Sequence, residues 1–62
     1  MSDFSELEFI VDKVISENQK PVEQYKAGKK ETLQFLIGQV MKETQGKADV
    51  KKVKLLLEER LK

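Results

Sequence analysis

Two glycine-lysine pairs, Gly28-Lys29 and Gly46-Lys47, are the residues best suited to chemistry in this 62-residue chain. Glycine lets a ligand backbone come close, and lysine brings a compact, mobile positive charge. The combination suits phosphate. Lys26 and Lys30 flank the first pair, while Lys42 and Lys51 bracket the second. Several of these lysines fall where helices are expected to start: Lys29 and Lys30 for one, Lys51 and Lys52 for another, with Lys20 just before a third. A cation there opposes the helix dipole at roughly 0.3–1 kcal/mol per residue. Free N–H groups at such an end, helped by lysines, bind anions well. The plainer reading is that the lysines simply extend into solvent, as they do on many small helical surfaces. Residue type and spacing leave both readings open. Gln39 can donate and accept, so it suits a base edge or a 2′-hydroxyl, and equally the cap of a loop carbonyl.

Composition excludes more than it assigns. The chain has no cysteine and no histidine. Disulfides and the usual zinc sites are therefore ruled out, and the commonest general base and the strongest nucleophile are missing. Glu6, Glu8 and Asp12 share one helix, but capping and solvation account for them, and no nucleophile–base pair is present. No cofactor or metal is expected. No apolar run approaches the ~20 residues needed to cross a bilayer. The net charge of +1 hides an asymmetry, since residues 1–18 carry −4 and residues 19–54 carry +5. A basic middle of this kind suits a polyanion. Tyr25 and Phe35 are the only aromatics beyond residue 9. Base stacking is therefore not the expected mode, and any nucleic-acid contact is expected with backbone and shape, at a steep salt dependence.

Four helices are expected to carry these residues. Leu7, Ile10, Val11, Val14 and Ile15 recur at helical spacing from Ser5 to about Asn18. Ser5 and Glu8 form a capping box, and Phe4 and Phe9 have the spacing of a hydrophobic staple. Pro21 is expected to open a short second helix that Gly28 ends. A third helix is read over Lys30–Thr44, with Leu33, Leu36, Ile37, Val40 and Met41 inside and Phe35 widening the stripe. Gly38 lies within it, at roughly 1 kcal/mol against alanine, which calls for close approach of another helix, of Tyr25 or of a ligand; packing is the favoured reason. Gly46 is expected as the residue after that helix. Asp49 then caps a fourth helix, with Val50, Val53, Leu56, Leu57 and Leu61 inward. The fold class is all-α, a small bundle of three main helices and one short one.

The middle of the chain resembles one family. Its core is Tyr25-Lys26-Ala27-Gly28-Lys29, followed by the run Leu36-Ile37-Gly38-Gln39-Val40-Met41-Lys42-Glu43-Thr44-Gln45-Gly46-Lys47-Ala48. This looks like the C-terminal tail domain of the B subunit of aspartyl/glutamyl-tRNA amidotransferases, the GatB/YqeY tail family. The resemblance covers about residues 6–61. The chain departs from the pattern at Asp49-Val50, where members often have Asn-Pro, though both give a cap and a helix start. It departs again at Gln34, where members often have glycine, and at Asn18-Gln19-Lys20-Pro21, where the proline is displaced.

The resemblance implies a parent assembly that uses ATP, magnesium and ammonia from glutamine to convert Glu-tRNA(Gln) or Asp-tRNA(Asn) into the correct aminoacyl-tRNA. That chemistry belongs to a larger domain. The tail would bind the outer corner of tRNA, without catalysis of its own. Carried over by motif, Gly28, Lys29, Gln39, Lys42, Gly46 and Lys47 would form the tRNA-binding set. Lys26, Lys30 and Lys51 join it on charge and position alone. Residues 5–62 would be the domain, preceded by a short extension, 1–4, with Met1 as an added start residue. The expected partners are tRNA and, through the rest of the parent chain, other amidotransferase subunits. The isolated chain is expected to be a cytoplasmic monomer with no membrane association. The competing expectations are a helical module that docks a neighbouring protein of the assembly through Phe9 or Phe35, and a freestanding small homologue of the tail.

Overall fold

Apolar residues at three- and four-residue spacing produce helices here, each with one buried stripe. A computed structural model describes the backbone of residues 3–62 and the side chains of residues 6–62. The elements are α1 (Asp3–Glu17), α2 (Gln19–Lys26), α3 (Thr32–Glu43) and α4 (Val50–Arg60). Among the described residues there is no strand, so the architecture is the small all-α bundle expected.

The core takes one stripe from each helix. Leu7, Val11 and Val14 come from α1, Val22 from α2, and Leu33, Leu36 and Val40 from α3. Val53 and Leu57 of α4 join them, with Leu61 just beyond its end. Ile10, Ile15, Tyr25, Ile37, Met41 and Leu56 close the edges, half-buried. α1 and α3 each touch all three other helices, whereas α2 and α4 do not touch one another. α1 and α3 thus form the shared middle, flanked by α2 and α4. Two ion pairs tie α1 across the bundle: Asp12 Oδ1 to Arg60 Nε at 3.0 Å, and Lys13 Nζ to Glu43 Oε1 at 3.2 Å. The hydrogen bond to Glu43, with the nearby charges of Glu43 and Glu17, holds the Lys13 ammonium above its ordinary 10.5.

Several boundaries differ from expectation. α1 is already helical at Asp3, so Ser5 lies within it rather than at its cap. The side chains of Phe4 and Ser5, and with them the staple and the capping box, lie outside the described residues. α2 starts at Gln19, which makes Pro21 its third residue instead of its first. The first four N–H groups of a helix have no partner within it, so proline is tolerated there too. Lys20 therefore sits inside the first turn of α2. Val50 is 50% exposed and Phe35 48% exposed, so neither belongs to the core. Gly38 is exposed, and a Cβ built on it would meet nothing within 4 Å, so neither a helix nor Tyr25 packs against it.

Candidate nucleic-acid interface

Both glycine-lysine pairs lie at helix ends, and the turn chemistry explains why. After α2, Gly28 adopts φ 118, a left-handed conformation suited to glycine. Its N–H donates to Tyr25 O at 3.1 Å, and Lys29 N–H donates to Gln24 O at 2.9 Å. This paired closure is a Schellman motif. It throws Lys29 and Lys30 outward, next to Lys26, the last residue of α2.

The first three N–H donors of α3 (Thr32–Glu43) are already used. Thr32, Leu33 and Gln34 N–H groups donate to the carbonyls of Lys29, Lys30 and Glu31 at 3.1, 3.0 and 3.2 Å. The helix therefore begins two residues later than expected, and Lys29 and Lys30 lie in the turn before it. Of the two readings left open for this end, the one that relies on free N–H groups loses the first three donors of α3 to a tight turn.

The second turn repeats the closure with a shift. Gln45 N–H donates to Lys42 O at 3.1 Å, and Gly46 N–H to Met41 O at 2.8 Å. Gln45, at φ 58, is the residue just past the cap, and Gly46, at φ 77, follows it. The glycine thus stands one place later in the motif than expected. Asp49 caps α4 as anticipated, its Oδ1 accepting from Lys51 N–H at 2.9 Å. That carboxylate fills the donor and offsets the positive pole of α4. A phosphate at this helix end would meet the Asp49 carboxylate first, and Lys51 can attract anions only through its side chain.

The lysine side chains are nonetheless available. Lys26, Lys29, Lys30, Lys42, Lys47 and Lys51 are all exposed. Among the described residues, none of the nine lysines between positions 20 and 54 pairs with a carboxylate. The cations that do pair are Lys13, Arg60 and Lys62. The fold thus neutralises part of the acidic start and leaves the basic middle uncompensated.

The predicted residues form two groups, not one pocket. Lys26, Gly28, Lys29 and Lys30 lie before α3, while Lys42, Gly46, Lys47 and Lys51 lie around its far end. The 12 residues of α3 separate them, a helix length of about 18 Å. Gln39 stands between, half-buried. It makes no hydrogen bond to a described residue, and among the described residues no fully buried side-chain nitrogen or oxygen lacks a partner, so its amide reaches solvent and caps no loop. Sequence reasoning missed an open groove of about 480 Å³ beside the second turn, where Lys47 and Lys52 meet Glu6 and Asp49 over a floor of Leu7, Ile10 and Ala48. Only the helix-to-helix arrangement brings α1 against that turn, so nothing local signals it.

A family model described as the GatB domain matches residues 1–61. The chain is 52% identical over 61 residues to the aspartyl/glutamyl-tRNA(Asn/Gln) amidotransferase B subunit of Carboxydothermus hydrogenoformans. Against the B subunits of the same name from Caldanaerobacter subterraneus and Methanopyrus kandleri, the identity is 56% and 48%. Each alignment covers 98% of this chain but 13% of the relative, so the chain spans a small part of the proteins it resembles. No solved structure matches it.

Proposed function

The chain belongs to the GatB/YqeY family, and from that membership we propose that it is the tRNA-binding tail of an amidotransferase B subunit. On this reading residues 5–62 form the binding domain and contact the outer corner of tRNA. Lys26, Gly28, Lys29 and Lys30 serve as one contact point, and Lys42, Gly46, Lys47 and Lys51 as the other. Gln39 offers its solvent-facing amide to a 2′-hydroxyl or base edge between them. The parent's work would be the ATP- and magnesium-dependent conversion of Glu-tRNA(Gln) or Asp-tRNA(Asn) in the cytoplasm. The tail would supply affinity and position but no reacting group and no cofactor contact, and would reach the other subunits through the rest of its chain.

The observation that carries the reading is the set of exposed lysines that no described carboxylate neutralises. Ion pairing would have been the simplest structural use for them. The experiment is an amide NMR titration of the labelled chain with unacylated tRNA at low and physiological salt. Shifts should concentrate at residues 26–30 and 39–48, fade with salt and be weaker for a plain RNA hairpin. Lys29→Ala or Lys47→Ala should weaken binding several-fold and leave the melting temperature unchanged. Absence of shifts even at low salt would sink the proposal.

One observation favours a second reading. Phe9, on α1, is 71% exposed and points away from the core stripe. A ring so placed suits docking against another protein surface, such as the rest of a parent chain. It lies on a different helix from the lysine groups, so the two readings are compatible.

A further inference from the structure

We infer that the outward face of α3 is itself a contact surface, and that a ribose-phosphate strand crosses the helix at Gly38. The inference rests on the RNA-binding reading above and adds a site to it.

Gly38 has no internal purpose. It lies in mid-helix, where glycine costs roughly 1 kcal/mol against alanine. It does not adopt positive φ, unlike Gly28 and Gly46, so its backbone suits any residue. Apart from its own turn of helix, no described residue lies within 4 Å of where its Cβ would be. At 100° per residue it faces away from the buried Leu36 and Val40, on the side of α3 opposite the core. A bare strip of helix backbone is thus presented to solvent at a standing cost to stability.

The residues around that strip suit one kind of occupant. Gln34, Phe35 and Lys42 lie one turn before and after Gly38, and all three are exposed. Phe35 is 48% exposed, enough for a ribose or base to lie on its ring. Gln34 brings an amide that can bond a 2′-hydroxyl. None of the three is acidic. Between residues 26 and 47 five lysines stand against two glutamates, and Glu43 is taken by Lys13. The charge and the missing side chain together fit a strand of RNA lying flush against the helix. It would run between the two glycine-lysine turns, which bound this face at either end.

The test uses Gly38→Ala and Gly38→Gln in the 62-residue chain, with Lys29→Ala as a control. Thermal melts and anisotropy titrations with unacylated tRNA are run on each. Alanine should raise the melting temperature by about 4–8 °C, because it restores helix propensity in open space. The same change should weaken tRNA binding several-fold, and glutamine ten-fold or more, without altering the salt slope, since no charge is removed. Improved stability with undiminished affinity, while Lys29→Ala still weakens binding, would overturn the inference and leave the RNA reading standing. So would a lowered melting temperature for Gly38→Ala, which would assign the glycine to the fold. Unchanged binding in all three variants would remove the RNA reading, and this inference with it.

Discussion

At Gln45 the backbone does something that its residue type resists. Its φ of 58 lies in the left-handed region, and the side chain gains no hydrogen bond to a described residue in return. The left-handed conformation costs an L-residue about 1–2 kcal/mol. Glycine would remove that cost but would add about 0.4–1 kcal/mol of unfolded-chain entropy. Gln45→Gly should therefore stabilise the chain by up to about 1.6 kcal/mol, read as a higher urea midpoint at unchanged slope. A lower midpoint would show that the side chain holds the turn by contacts of its own. Gln45 and Gly46 also mark a limit of sequence reading. Either residue can sit past the cap of α3, and the hydrogen bonds, not the residue types, show that the glutamine does. Asp49 is easier to read, because a short acidic side chain before an apolar period has one dominant local use.

The elements depend on α3. It touches every other helix and buries Leu36 and Val40 completely. Leu36→Ala should destabilise by about 2–5 kcal/mol, the usual range for a buried leucine. A chain of this size has only ~3–9 kcal/mol in total. Chemical denaturation should therefore show a folded state reduced to marginal stability, whereas an unchanged midpoint would mean the interior had repacked around the loss. The buried stripes are legible because period sets the angle around a helix axis, as for Val11 and Val14, or Leu36 and Val40. Position along the axis is not. Val50 has the inward angle of Val53 and Leu57 but is 50% exposed, since it is the first residue of α4, at the end of the bundle. Helix starts are equally underdetermined. Pro21 fits anywhere in a first turn, and the carbonyls of Lys29, Lys30 and Glu31 form a tight turn that delays α3 to Thr32. That delay is also why the candidate site is legible in residue type but not in detail. The lysines stand outward as expected, while the N–H groups of Thr32, Leu33 and Gln34 that open α3, and that of Lys51 in α4, are already bonded.

The whole molecule measures 35 × 19 × 17 Å, with a radius of gyration of 10.7 Å. Size scaling gives about 10.6 Å for a folded chain of this length, so the exposed lysines share the surface of a very small body. No described helix is long and apolar enough to cross a membrane. If three to four lysines meet phosphates, affinity should fall roughly 40–150-fold between 50 and 200 mM salt. Anisotropy titrations across that range measure the slope, and a flat response would mean that the lysines are not the contacts. Because α3 is anchored against three other helices, it also holds the two lysine groups at a set separation. A ligand caught at one end meets the other as an intramolecular event, at an effective concentration that a flexible connection would dilute. A folded polynucleotide whose phosphates already stand that far apart gains from both encounters, whereas a slack strand must first be ordered. The helix would then act as a caliper, selecting by distance what the scarcity of base-reading groups leaves it unable to select by sequence.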